Sequence, residues 1–199
     1  MPHLTQFFRI LLTGSFLLFS LKAFAIDEIT ILAKVNQNVI TNYDIGNRIE
    51  FLEMTTPEMK KATGDEKKYY AMQSLIQDEL RLEYAKRVNF KLDKEQKTRY
   101  RKAISDELQK KNIKNIAFVM EKNSNFIESE ALWRGVVEAI IRPKIQISQE
   151  MVDDVAKKEK KLSKEKIADI IVEQQIQGQS AQILESIRKI SIIEFTQEQ

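Results

Sequence analysis

The sequence predicts a mainly α-helical domain with a small sheet in which the first and last strands of the chain pair. Beyond residue 25 the chain holds only four glycines and two prolines, so few residues interrupt helices. Apolar residues recur there at three- and four-residue spacing, which is the helical period. Alternation typical of a strand occurs at 29–35, and a strand-like apolar run closes the chain at 191–195. Pairing these two strands would cover their edges and tie the ends of the domain together.

The first 25 residues have the three parts of a secretory signal peptide. A weakly basic start ends at Arg9, an apolar run extends from Ile10 to Leu21, and Ala23 and Ala25 form a small-residue cleavage site. The apolar run is about 12 residues, which is short for a membrane-spanning helix. We expect export to the periplasm with cleavage after Ala25 and no stable membrane anchor afterwards. If cleavage failed, the same segment would act as an anchor.

The composition of the exported part excludes several classes of function. Residues 26–199 form one domain by length. Loss of the signal removes Arg9 and Lys22, which leaves 30 basic and 29 acidic residues with interleaved signs, so we expect no nucleic-acid partner. The chain has no cysteine, and its single histidine, His3, leaves with the signal. Disulfides, Cys/His zinc sites and Ser-His-Asp catalysis are therefore excluded, and we expect no cofactor.

The N-terminal residues of the exported part predict a hairpin that leads into a helix. Residues 29–35 alternate as a strand, 36–38 favour a turn, and Val39 and Ile40 form a second extended piece. Thr41 followed by Asp44 is a capping-box pattern, which opens the first helix.

Capping residues and prolines delimit the later helices. Asp93 with Gln96 forms a second capping-box pattern, and Ser148 and Ser163 are N-cap candidates. The first helix stops before Pro57, because the residue preceding a proline avoids helical geometry. Two apolar rows on the last helix predict contact with more than one neighbour. One row contains Ile167, Ile170, Ile171, Ala181 and Leu184, and the other contains Val172, Ile176, Ile183 and Ile187. The later helices are predicted at 66–88, 93–111, 128–141, 149–159 and 163–189, with a loop or helical turn at 58–65 and a short amphipathic segment within 112–125.

Few residues remain that could carry catalysis. The adjacent acids Asp78–Glu79 and Asp153–Asp154 are interpreted as helix surface charge, since neighbours on a helix do not face each other. Ser163–Lys164, and Ser105 near Lys102, are the Ser-Lys pairs considered, and Ser163 is better explained as a helix cap.

The large aromatic side chains are predicted to lie in the core. Trp133 and the phenylalanines 51, 90, 118 and 126 are each more often core residues than ligand platforms. A small helical domain has limited room for the whole set.

The segment Ile31–Ile45 resembles the start of mature SurA-type periplasmic chaperones. The resemblance rests on the Val35-Asn36 pair, the apolar pair Val39-Ile40 and the helix-opening Asp44. It extends with similar order and spacing through 72–96 and 133–153, and the segment 167–195 is similar to the helix and strand that close that family's core. It implies an N-terminal part at 26–156, a junction at 157–163 and a C-terminal helix and strand at 164–199.

The resemblance implies a non-enzymatic chaperone that binds unfolded polypeptides, namely outer-membrane proteins, without ATP. The family carries prolyl isomerase domains between the two parts of its core, but the junction at 157–163 is too short to hold one. We therefore reject isomerase activity, which a proline isomerisation assay would test. The alternative is an exported helical interaction protein with a dedicated partner, in its simplest form a homodimer through the last helix. No residue can be assigned to client binding from the sequence.

Overall fold

The computed structural model describes residues 28–159 and 162–196, which form seven α-helices around a three-stranded sheet. The predicted signal peptide, with Ala23 and Ala25, lies outside the described residues, as do two residues of the predicted junction. The elements in order are β1 Ile31–Val35, β2 Asn38–Thr41, α1 Asn42–Thr55, α2 Gly64–Arg87, α3 Lys94–Lys110, α4 Ile116–Lys122, α5 Ser124–Val136, α6 Gln149–Lys158, α7 Lys164–Ile190 and β3 Ile193–Phe195. Short 3-10 turns lie at Pro57–Lys61 and Arg142–Lys144, and a π-helical segment at Val137–Ile141 extends α5.

The sheet pairs the two ends of the described chain, which confirms the prediction of a mainly helical fold with a small sheet. Its strand order is β2-β1-β3 and both pairings are antiparallel. Val35 pairs with Ile193 and Ala33 with Phe195. β1 is therefore the central strand, and its Ala33 and Val35 are fully buried. The chain returns to its own first strand only after α7, so this sheet holds the C-terminal end of α7.

Local capping signals explain where most helices begin. Thr41 and Asp44 form the predicted capping box, as do Asp93 and Gln96. The Ser148 and Ser163 side chains each accept a backbone N–H at the start of α6 and α7. α2 begins at Gly64, two residues before the predicted start, because Thr63 and Glu66 form another capping box that the sequence reading missed.

The predicted start of α5 at residue 128 was wrong, because the helix begins at Ser124. Only Asn123 separates it from α4, and the Asn123 side chain donates to the carbonyl of Val119 at 2.9 Å. Ser124 and Asn125 are exposed on the first turn of α5. Their polarity suggested a loop, but it reflects only the solvent-facing side of the helix.

The long helix α7 contacts three separate parts of the core, which confirms the prediction from its two apolar rows. Ile187 packs in the cluster beneath the sheet, with Ile76 and Leu80 of α2. Ile176 packs in the cluster that contains Trp133. The N-terminal part of α7 packs on α6 through a third cluster formed by Val152, Ile167 and Ile171. α7 is thus anchored at intervals along its length.

Replacing Gly135 with alanine should lower the free energy of unfolding by up to about 2 kcal/mol, because overpacking costs about 1–3 kcal/mol and the gain in helix propensity offsets about 1 kcal/mol of it. A Cβ at position 135 would come within 2.5 Å of Leu92 Cδ2 and 2.9 Å of Phe90 Cε1. Apart from the backbone of its own helix and its chain neighbours, no atom lies within 4 Å of the Cβ position of Gly178 on α7, so Gly178→Ala should instead stabilise the protein through helix propensity. Urea denaturation of both variants tests this, and equal stabilisation by both would contradict the packing assigned to Gly135.

Candidate functional site

A groove of about 630 Å³ lies between the central helices and the last helix. Its walls come from α2, α3 and α5 with the π segment on one side, and from α7 on the other. We call it the central groove. Its volume falls in the range of roughly 300–1,000 Å³ typical of ligand sites. Its apolar and aromatic lining residues are Tyr100, Ala103, Trp133, Val137, Ile176, Ala181 and Leu184.

The floor of the central groove is well packed, and its largest members are nearly buried. Trp133 is 7% exposed and Ile176 is 5% exposed. The Trp133 ring packs edge-on against Tyr84, with the centroids 6.0 Å apart. The Arg81 guanidinium lies 5.8 Å from the centre of the same indole. The prediction that Trp133 is a core residue is thus confirmed, and its remaining exposed part contributes to the groove.

A chain of ion pairs runs along the wall formed by α2, α3 and α5. Arg134 donates to both carboxylate oxygens of Glu107, at 2.7 and 2.8 Å, and to Glu130 at 2.9 Å. Glu130 also accepts from Arg81 at 3.0 Å. The hydrogen bonds from Arg134 hold the pKa of Glu107 below its usual value, and the same bonds raise the pKa of Arg134. The charges on this wall are therefore paired with each other before any ligand binds, but the buried Nε of Arg81 has no hydrogen-bond partner among the described residues.

This chain of ion pairs ends in the protein interior. Arg48 of α1 donates to Asp78 of α2 at 2.6 Å, and the two residues are 4% and 6% exposed. Ser129 of α5 lies within 3.4 Å of the same carboxylate, and Arg48 stacks 4.8 Å from the centre of the Phe126 ring. Burial raises the pKa of Asp78, and the Arg48 charge opposes that rise. The interior pair thus joins three helices through one carboxylate.

The prediction that Asp78 and Glu79 carry surface charge was wrong for Asp78. Glu79 is half-buried and accepts from Asn38 of β2, and burial raises the pKa of its carboxyl. A signal for Asp78 was present in the sequence, because it lies three residues after Leu75 and four before Leu82, on the apolar side of α2. A charged residue inside an apolar stripe indicates a buried partner, here Arg48.

Polar contacts attach α7 to other elements at two points, one at the central groove and one outside it. Arg142 donates to Glu173 of α7 at 2.8 Å, and Arg188 near the end of α7 donates to Gln73 of α2 at 3.0 Å. The Arg142–Glu173 pair is substantially exposed, so it contributes little to stability. The position of α7 therefore depends mainly on its buried isoleucines.

Uncharged polar side chains also line the central groove. Gln77 of α2 and Gln177 and Ser180 of α7 lie along it. Amide and hydroxyl groups can donate to and accept from a polypeptide main chain. The charged lining consists of four glutamates and three arginines, so no strong charge preference is imposed.

The residues that carried the sequence resemblance lie away from the central groove and have structural roles. Val35 and Ile40 are buried beneath the sheet, whereas Val39 is 47% exposed. Asn36 has a positive φ of 54° in the turn between β1 and β2, and its side chain accepts from Ile192 N–H at 2.9 Å. The Asp44 side chain caps α1 by accepting from Thr41 N–H at 2.8 Å. These residues build the hairpin and hold the C-terminal strand against it.

The prediction that the large aromatic side chains lie in the core was correct only in part. Phe51 is 5% exposed, and Phe90 and Phe126 are half-buried. Phe118 is 61% exposed, so its predicted core position was wrong. It lies on the outer side of the short helix α4, whose buried member is Val119. A seven-residue helix contacts the core along one narrow line, so it cannot bury residues on both of its sides.

The Ser-Lys pairs considered from the sequence are not brought together as catalytic groups. Ser163 accepts the N–H of Lys166 as a helix cap, and Lys164 pairs with Asp153 at 2.7 Å. Lys102 pairs with Asp106 at 2.7 Å, one turn along α3. Within residues 28–159 and 162–196 no cluster of acidic or histidine side chains is suited to hold a metal ion. No helix among those residues is long and apolar enough to span a bilayer.

No protein-family model matches this chain, and a search of curated proteins finds no relative. The functional interpretation therefore depends on the groove and on the resemblance in the sequence.

Proposed function

We propose that the protein is an exported, non-enzymatic chaperone of the SurA type that binds unfolded polypeptides in the central groove. The observation that supports this most is the groove itself. It lies between the central helices and α7, with an apolar floor around Trp133 and Ile176 and polar side chains beside it. Such a site suits apolar side chains of an extended chain and hydrogen bonds to its main chain.

The balance of charges also suits many different clients. Glu107 and Glu130 are paired with Arg134 and Arg81, so a client of either charge meets little repulsion. The clients proposed are unfolded outer-membrane proteins, which the family resemblance implies. The periplasm normally lacks ATP, so the chaperone would bind and release its clients by equilibrium affinity alone.

The arrangement of elements is consistent with the family resemblance. The first strand, hairpin and capped helix come at the start, and the last helix and strand return to pair with β1. α6 and α7 are joined by residues 159–163, which cannot hold an isomerase domain. The proposed activity is therefore binding without catalysis.

The protein should suppress aggregation of a denatured outer-membrane barrel protein, and Ala181→Glu should weaken that activity. Ala181 is exposed and lines the groove, so a glutamate there places a charge against the apolar parts of a bound client. Burying that charge should weaken apparent client affinity about tenfold, measured from light scattering at increasing chaperone concentration.

Gln182→Glu is the matched control, because Gln182 is exposed on the same helix but does not line the groove. Its activity should equal that of the original protein. Failure of the original protein to suppress aggregation at several-fold excess would exclude the chaperone function. Equal activity of the two variants would exclude this groove as its site.

A second candidate function is that of an interaction protein with one dedicated partner. The end of α7 and β3 exposes apolar side chains, with Ile190, Ile192 and Phe195 each more than half exposed. Phe195 belongs to β3, which is an edge strand of the sheet formed by the described residues, and another chain can pair at such an edge. Multi-angle light scattering distinguishes the two, since a stable dimer without affinity for unfolded clients would favour the interaction protein.

A further inference from the structure

A second cavity, of about 430 Å³, lies on the other side of α5 from the interior ion pairs, and we call it the lateral pocket. It is formed by the end of α2, the connection between α2 and α3, the first turns of α3, and α5. None of its lining residues belongs to the central groove. Its apolar lining residues are Leu82, Phe90, Leu92, Ala131 and Leu132.

The remaining lining residues are all charged, and most of them are cationic. They are Lys91, Lys97, Arg101 and Glu128. Lys97 forms an exposed pair with Glu128 at 3.4 Å. Lys91 and Arg101 form no ion pair with any carboxylate of residues 28–159 and 162–196. The rim therefore carries two uncompensated positive charges above an apolar floor.

The lateral pocket differs from the central groove in its hydrogen-bonding side chains. No serine, threonine, asparagine, glutamine or tyrosine is among its lining residues, whereas the central groove has Gln77, Gln177 and Ser180. The polar side chains that line the pocket are the charged ones at its rim, so a peptide main chain or a sugar on the apolar floor would lose its bonds to water without new partners. An unsubstituted alkyl chain needs none, and a single anionic group would meet the cations at the rim.

We infer that the lateral pocket binds a single-chain fatty acid, with its alkyl chain between α2 and α5 and its carboxylate at Lys91 and Arg101. The apolar floor excludes water from the chain, which drives its burial. The two cations act through charge-assisted hydrogen bonds, which are the stronger class. This inference is independent of client binding in the central groove.

The inference is tested by calorimetric titration with dodecanoate below its micelle concentration. The protein is the full chain, which is expressed with its own N-terminal segment and then purified. Dodecanol has the same chain without the charge, and dodecyltrimethylammonium has the opposite charge. We expect dodecanoate to bind about tenfold more tightly than dodecanol and dodecyltrimethylammonium not to bind measurably. Equal binding of all three amphiphiles would overturn the inference, since it would report only apolar adsorption.

The double variant Lys91→Gln/Arg101→Gln should weaken dodecanoate binding about tenfold and leave dodecanol binding unchanged. Lys94→Gln/Lys114→Gln is the matched control, because it removes two exposed cations that do not line the pocket. Circular dichroism establishes that both variants fold. Equal losses in the two double variants would overturn the inference, because they would reflect net charge alone.

Amide chemical shifts locate the site in the folded protein without any substitution. Shifts caused by dodecanoate should concentrate in 88–92 and 128–132. Shifts concentrated in 173–184 would place the fatty acid in the central groove and overturn the assignment. Aggregation suppression by Lys91→Gln/Arg101→Gln should equal that of the original protein, so failure of this inference is distinguishable from failure of the proposed chaperone function.

Discussion

Replacing Arg48 with methionine should lower the free energy of unfolding by about 3–5 kcal/mol, the cost of leaving a buried charge without its partner. Arg48 and Asp78 are 4% and 6% exposed and lie 2.6 Å apart. Methionine fills much of the same volume but cannot compensate the carboxylate. Arg81 lies 3.5 Å from the other oxygen of Asp78 and compensates only part of the loss. Urea denaturation at neutral pH measures the effect.

The same variant should have a distinctive dependence on pH. Burial already raises the pKa of Asp78, and loss of the opposing Arg48 charge raises it further. A carboxyl whose pKa is higher in the folded state than in the unfolded state favours folding below the unfolded pKa, about 3.9, and disfavours it as the pH rises through the folded value. The loss in free energy of unfolding caused by Arg48→Met should therefore become smaller as the pH is lowered from neutral.

Two further variants distinguish the cost of an unpaired buried charge from the cost of losing a contact. Arg48→Met/Asp78→Leu removes both charges and should recover most of the stability, since a buried ion pair contributes little beyond an apolar replacement. Lys122→Met disrupts the more exposed pair with Glu50 and should cost about 0–1 kcal/mol. If Arg48→Met lost no more than Lys122→Met, the interior pair would not have the role assigned to it.

Ile167→Ala should destabilise the attachment of α7 to α6 by about 2–5 kcal/mol. Ile167 is fully buried and packs with Val152 and Ile171 in the cluster between these two helices. Truncation removes apolar contacts and leaves a cavity that the two helices cannot fully close. Because this cluster is separate from the core beneath the sheet, the effect should appear as faster amide hydrogen exchange in the first turns of α7.

Ile170→Ala is the matched control for that substitution. Ile170 is the same residue type on the same helix but is 43% exposed. Its replacement should change local stability by no more than about 0.5 kcal/mol. Equal exchange rates in the two alanine variants would contradict the packing assigned to α7.

Local signals in the sequence were sufficient to predict most helix starts and the strands. The Thr41–Asp44 and Asp93–Gln96 boxes and the caps at Ser148 and Ser163 all depend on residues within one turn, so their geometry does not require the rest of the fold. The start of α5 was missed because Asn123 makes no side-chain cap. Polar first-turn residues without a capping signal cannot be distinguished from a loop.

From the sequence, the only predictable property of the central groove was that α7 needs apolar contacts on more than one side. The two apolar rows of α7 predicted more than one neighbour, but the positions left uncovered depend on how far α3 and α5 stand from α7. The rows contained Ile167 and Ile170 alike, yet only Ile167 is fully buried. Likewise Phe118 and Val119 are adjacent in the sequence, and only Val119 faces the core.

The sequence by itself determined the types of most elements and most of the caps, because these follow from residues close together, and strand-like segments at both ends predicted the pairing of the terminal strands. The tertiary structure alone decided that Asp78 meets Arg48, that Trp133 becomes the floor of the central groove, and that Lys91 and Arg101 flank the lateral pocket. These properties depend on distances between side chains from different helices. Such distances are set by packing of the whole core, which no local segment of the sequence encodes.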